Sequence, residues 1–464
     1  MTISHLPDEV LLEIFDSYRL GIDPYNHQWK ENYAWFSIAH VCRKWRAIAF
    51  ASSSRLDLGI TVGPKKPGHI KTILSGPLSI SIDYRFMYGD ITASSIWRMR
   101  AALKHRVREI VFSGTSANFE NLFKGTKCAF PDLESLVLEF GYGYELNILD
   151  APPGPDPSYP RLRRLRLESL DGPGVSLASI SGILSSAPAI TDLFLQIDTA
   201  SSAASETSLL ACLQGMPCLC IFHLSLTYNS TSQPSTPKDI ATLSKLTCFH
   251  FVGNSVFLDA LVAGLSAPSL QDVDFEFYDE IWPPIVHLPR FVDEINEHYS
   301  AVHVAFRDWH FHFSLLTKSE YNSPCKPLFK FGPVLTPYPE SIIQMSSSLS
   351  TRLATVGELR VTLEDTDANV WDNVIPWRSF LQRFPSVKVL RTEGTDIGPF
   401  IARTLCQDHG ELDHLSFLRT LEEIDLGREW SFNESQRTSR LTAFQPFISA
   451  RQRASHPVNV FFST

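Results

Sequence analysis

Three apolar residues at positions 1, 4 and 6 of a short segment recur along most of this chain. They stand at Val107-Ile110-Phe112, Leu133-Leu136-Leu138, Leu162-Leu165-Leu167, Ile190-Leu193-Leu195, Leu219-Phe222-Leu224, Leu246-Phe249-Phe251 and Leu270-Val273-Phe275. Weaker copies follow at Val356-Leu359-Val361 and Leu421-Ile424-Leu426, with a partial one at Val387-Leu390. Starts from 107 to 270 are 26, 29, 28, 29, 27 and 24 residues apart. A proline often stands just before, as at Pro131, Pro160, Pro188, Pro217, Pro268 and Pro385. One short strand turns alternate side chains inward, and a period in the high twenties leaves room for a helix and two turns. The gaps predict helices over 176–186, 208–215, 255–266, 287–299 and 369–383. Strand and helix alternating at fixed period build a parallel sheet curved by its wider helical side, an α/β repeat fold.

The triplets resemble degenerate leucine-rich repeats, which implies a horseshoe with a curved parallel sheet. The Asn that usually follows the triplet is missing from most copies, Asn254 being an exception. A generic α/β domain whose strands follow prolines is the alternative. Between about 280 and 350 the register is lost. There 301–306 and 328–331 read as further strands, either of atypical repeats or of an insertion. Pro-rich 151–160, Ser-rich 199–208 and Ser/Pro-rich 229–237 read as surface loops. Residues 457–462 read as a closing strand paired on one side.

The first fifty residues follow a different period. Val10, Leu11, Ile14, Phe15 and Tyr18 recur at three- and four-residue spacing, the mark of one apolar helix face. Pro7 suits the first turn, where its missing N–H would be unpaired anyway, and Asp8 and Glu9 complement the helix dipole. Gly21 and Pro24 break the pattern. Trp35, Ile38, Val41, Cys42, Trp45, Ile48 and Ala49 then mark a second helix. Two short amphipathic helices cannot bury both faces alone. They need the rest of the chain, as a cap on the repeats, or another protein.

The order Leu6-Pro7-x-Glu9-x-Leu11, then Ile14-Phe15, then Val41-Cys42-Arg43-x-Trp45, resembles an F-box. The resemblance covers about residues 4–50. It implies docking onto the Skp-type adaptor, and through it a cullin, of an SCF-type ubiquitin ligase. Leu6, Pro7, Val10, Leu11, Ile14, Phe15, Val41 and Trp45 would then contact the adaptor or shape its docking face. The spacer at 19–33 is longer than in compact F-boxes, a departure familiar in fungal members. The implied division is a helical module at 1–55 and a repeat domain at 56–464.

Bulk properties narrow the partners. A chain of 464 residues suggests two or three domains, though repeat arrays break that rule. A net charge of −9 argues against nucleic acid as the main partner, since phosphate binding needs a basic surface. No window approaches eighteen uninterrupted apolar residues, and the start lacks the basic and apolar regions of a signal peptide. No membrane association is expected. The eight cysteines contain no CxxC pair, so reduced, mostly buried thiols in the cytoplasm or nucleus are expected.

No catalytic residue, metal site or cofactor is expected. The sequence holds no phosphate loop, dinucleotide fingerprint or Gly-x-Ser-x-Gly elbow. His310 and His312 share a strand face, and so do Cys218 and Cys220, but no further ligand cluster accompanies either pair. Asp365 and Asp367 suggest a solvated turn rather than a calcium loop. What remains is binding surface. The residue between the last two apolar positions points out of the sheet: Val111, Val137, Arg166, Phe194, His223, His250, Asp274, Arg360, Arg391 and Asp425. Among these Arg166, Phe194, His223, His250, Asp274 and Arg360 are candidate contacts for an unknown protein target, since aromatic and Arg anchors carry most interface energy. The expected function is a non-catalytic substrate receptor of an SCF-type ligase. The alternatives are a repeat scaffold with no ligase link, its helices capping the solenoid, and an enzyme hidden in 280–350.

Overall fold

The computed structural model describes residues 6–20, 41–52, 59–62, 79–84, 105–114, 130–140, 159–169, 177–197, 206–227, 240–277, 285–294, 299–307, 310–316, 329–331, 339–363, 377–394, 397–406, 418–428 and 434–463. The chain forms two compact units. One holds Met1–Ala204 with Gly215–Leu219, the other Ser205–Gln214 with Cys220–Thr464.

The first unit opens with helices α1 (Asp8–Leu20) and α2 (Arg43–Ala51). Six strands follow: β1 (Gly59–Val62), β2 (Ser79–Tyr84), β3 (Val107–Gly114), β4 (Ser135–Phe140), β5 (Arg164–Ser169) and β6 (Asp192–Ile197). They pair in chain order, all parallel. The apolar triplets set the register. Ile110, Leu136, Leu165 and Leu193 lie opposite one another across four strands, as do Phe112, Leu138, Leu167 and Leu195, and all eight are buried. A one-residue slip would turn this whole row to solvent, so the pattern specifies the pairing. Helix α3 (Leu177–Ser186) buries Leu177, Ile180 and Leu184. The triplets did not mark β1 and β2.

The prolines have a geometric role. Before each triplet that follows a proline a carbonyl accepts from the amide three residues on: Phe130 from Leu133, Tyr159 from Leu162, Ala187 from Ile190, Met216 from Leu219, Ala267 from Leu270, Phe384 from Val387. Pro131, Pro160, Pro188, Pro217, Pro268 and Pro385 occupy the second turn position, where a fixed φ helps and no N–H is needed.

The second unit contains α4 (Glu206–Gln214), β7 (Ile221–Leu226), β8 (Ala241–Thr242), β9 (Cys248–Gly253), α5 (Ser255–Ala263), β10 (Leu265–Ser266), β11 (Asp272–Phe277), α6 (His287–Glu294), β12 (Ala301–Arg307), β13 (His310–Leu316), β14 (Phe329–Phe331), α7 (Pro339–Ser348), α8 (Ser350–Leu353), β15 (Glu358–Leu363), α9 (Trp377–Leu381), β16 (Val389–Glu393), α10 (Ile397–Cys406), β17 (Glu423–Arg428), α11 (Glu434–Arg453) and β18 (Asn459–Ser463). Its main sheet runs β7-β9-β11-β14-β13-β12-β15-β16-β17-β18, and β8 pairs with β10 beside it. Phe222 stacks on Phe249 with ring centroids 5.2 Å apart, and Phe249 meets Phe275 edge-on at 5.4 Å, so successive triplets weld the strands.

Two expectations need correction. The sheet is not wholly parallel: β13 runs antiparallel to both β12 and β14. Only residues 308 and 309 separate β12 from β13, and a parallel return needs a crossover of a dozen residues or more. Among the described residues of 280–350, β13 and β14 lie between β12 and β11 in the sheet. The helix expected over 255–266 stops at Ala263, because Gly264 caps it and Leu265–Ser266 pair with β8. Of the helix expected over 287–299 the described part is His287–Glu294, and of that expected over 369–383 it is Trp377–Leu381; 295–298 and 369–376 lie outside the described residues. Strand β18 pairs with β17 on one side. Most of the loops expected at 151–160, 199–208 and 229–237 lie outside the described residues, as do Asp365 and Asp367.

Candidate functional site

Helix α1 starts where Pro7 gives its carbonyl to Leu11 N, a 3.1 Å bond that opens the ladder. Pro7 therefore stands just before the first turn, and Asp8 and Glu9 fill it. Cys42 caps α2: its extended backbone (φ −159°, ψ 172°) lets Sγ accept from Trp45 N at 3.4 Å. This thiol takes the place of the usual Ser or Asp oxygen. Lys44 ties the two elements. Its Nζ donates to the Leu6 carbonyl at 2.8 Å and lies 3.3 Å from Asp8 Oδ1.

The pair builds its own small core. Leu11, Leu12, Phe15, Ile48 and Ala49 are buried together, with Leu6, Trp45 and Phe50 packed around them. Phe15 meets Trp45 edge to face, centroids 5.0 Å apart. Leu11 and Phe15 face inward and are out of reach of another chain, so they can shape a docking face but not touch a partner. Leu6 and Trp45 are half-buried.

Other apolar residues of the same pattern stay outside. Val10 is 38% exposed, Ile14 41% and Val41 58%, and Pro7 is exposed too. Pro7, Val10 and Ile14 are spaced by three and four, which puts them on one helix face. A helix that buries Leu11 and Phe15 while holding Val10 and Ile14 in water has two apolar sides, one satisfied and one open.

The outward row of the sheets is more heavily engaged than its residue types suggest. In the first unit Arg166 is exposed, its guanidinium 4.5 Å from the Phe194 ring centre and its Nη2 2.6 Å from Glu168 Oε2. In the second, His223 and His250 lie opposite each other in register, ring centroids 5.2 Å apart. His250 Nδ1 lies 3.0 Å from Asp274 Oδ2. Arg360 is largely covered: its Nη2 lies 3.4 Å from Glu358 Oε1, and its Nε is buried without a hydrogen-bond partner. Arg391 bridges Glu358 at 2.7 Å and buried Asp425 at 2.8 Å. Burial alone would lower the Arg391 pKa, but the charges and hydrogen bonds of Glu358, then Asp425, outweigh it and raise the value. The acceptor Glu358 was not among the expected residues; its position two before Arg360 and on the same strand face is the signal that could have found it.

Among the described residues, no group of three or more His, Cys, Asp or Glu could hold a metal, and no helix is long and apolar enough to cross a membrane. His312 is half-buried, and the surroundings of His310 lie outside the described side chains. No curated protein matches the chain. The family model described as F-box-like matches residues 3–54, so the helical pair with the open Pro7, Val10 and Ile14 face is an F-box-like domain.

Proposed function

We propose that this chain is the substrate-recognition subunit of an SCF-type ubiquitin ligase. The single observation that carries the reading is the open apolar face of α1 beside a self-contained core in an F-box-like domain. A Skp-type adaptor would cover Pro7, Val10, Ile14 and Val41, and through the adaptor the chain would join a cullin. The strand arrays, read as degenerate leucine-rich repeats, would hold a protein target through outward residues such as Arg166, Phe194, His223 and His250. The chain then performs no covalent chemistry of its own. It acts by proximity, raising the effective concentration of target lysines near the ubiquitin carrier. Such a complex would work in the cytoplasm or nucleus.

The test is co-purification with a purified Skp-type adaptor. Wild type should recover the adaptor. Val10→Ser/Ile14→Ser should lose it while keeping the fold, because both side chains are exposed. A folded wild type that recovers no adaptor sinks the proposal.

A further inference from the structure

The geometry points to Lys44 as a positioning residue that presents the docking face, an inference that rests on the docking reading above. The Leu6 carbonyl lies outside the α1 ladder, whose first bond runs from Leu11 N to the Pro7 carbonyl at 3.1 Å. Lys44, on the other helix, donates to the Leu6 carbonyl at 2.8 Å and neutralises Asp8 from 3.3 Å. One ammonium thus grips α1 at the two residues flanking Pro7. Leu6 is also packed on the shared core, so the entry segment is held by an apolar contact on one side and a charged hydrogen bond on the other. Pro7 is the first residue of the open face, and Val10 and Ile14 follow at helical spacing. Fixing residues 6–8 against α2 therefore fixes where that face begins. The ion pair itself is half in solvent and contributes little to folding. Its value lies in ordering the segment before the adaptor arrives, which spares that ordering at the moment of binding.

The experiment compares wild type, Lys44→Met and Lys44→Arg in the full chain. It reads capture of a purified Skp-type adaptor and amide exchange of the first hydrogen-bonded turn, residues 11–14, in the free protein. Lys44→Met should weaken capture about 5- to 10-fold, on the order of one net hydrogen bond. It should speed exchange of the first-turn amides and leave the melting of the strand arrays unchanged. Lys44→Arg can still reach both oxygens and should restore both readouts. If Lys44→Met captures adaptor as well as wild type, the positioning role is overturned while the docking reading stands. The role is equally overturned if capture falls but first-turn exchange does not change, or if Lys44→Arg fails to rescue, since Lys44 would then be a direct contact. A wild type that recovers no adaptor overturns the docking reading and this inference with it.

Discussion

Phe15 of α1 and Trp45 of α2 meet edge to face, ring centroids 5.0 Å apart and planes inclined at 62°. This contact joins the two halves of the F-box-like domain, and it separates two uses of aromatic residues that sequence periodicity treats alike. Phe15 is buried, so Phe15→Ala should cost about 3–5 kcal/mol. A core of so few residues cannot absorb that loss. The expected outcome is selective melting: amides of 8–20 and 43–51 lose exchange protection while the strands keep theirs. Trp45→Phe should be far milder, because the buried indole N–H has no acceptor to lose. Equal exchange behaviour of the two variants would refute this division.

Asp259 on α5 caps the neighbouring helix α6. Its Oδ1 accepts from His287 N at 2.8 Å and Leu288 N at 2.7 Å, and its Oδ2 from Val286 N at 3.3 Å. These amides have no intrahelical partner, and a carboxylate also complements the helix dipole. Asp259→Ala should destabilise the protein by about 1–2 kcal/mol in urea unfolding. Asp259→Asn should lose less, since it keeps an acceptor oxygen.

The repeat was legible because its signal is a buried row. Every first, fourth and sixth residue of the copies from 107 to 270 is buried. Copy 387 looked partial because its sixth residue is Thr392, yet this side chain is fully buried opposite Val361. Its hydroxyl reaches the Asp425 carbonyl at 3.4 Å, so a polar residue fits an apolar row. The 280–350 segment defeated the pattern for another reason. Val302 and Val304 of β12 fill the row opposite Leu359 and Val361, but Tyr299 begins the copy and a hairpin follows it. Strand order is a matter of connection length, which periodicity does not encode. At the candidate docking site, helical spacing found the apolar residues but could not divide Leu11 and Phe15 from Val10 and Ile14. That division depends on where α2 lies.

Arg391 should be a stability residue rather than a target anchor. It stands between the covered carboxylates of Glu358 and Asp425. Arg391→Met leaves both without their shared cation and should cost about 2–4 kcal/mol, less than a fully enclosed pair because Arg391 is partly solvated. Arg391→Lys keeps the charge but cannot fork, so it should fall between. Thermal unfolding of the three proteins orders them as wild type, Lys, Met. A Met variant as stable as wild type would refute the structural role of Arg391.

Glu206 gives a prediction with a sign in pH. It is buried in the first turn of α4, where the helix dipole favours its charge. Burial nonetheless dominates and raises its pKa above the ordinary carboxylate value, with a backbone hydrogen bond opposing. A carboxyl whose folded pKa is raised binds its proton more tightly in the native state than in the unfolded one. Its favourable contribution is therefore complete below the unfolded value, near about 4.3, and is lost as pH rises through the folded value. At neutral pH the ionised group is a burden. Glu206→Gln removes the charge and keeps the shape, so the variant should melt above wild type at pH 7. As pH falls below about 4 wild type becomes protonated as well, and the gap should close. A wild type that melts above Glu206→Gln at pH 7 would mean that the dipole and hydrogen bond outweigh burial, as expected for a solvated first-turn Glu.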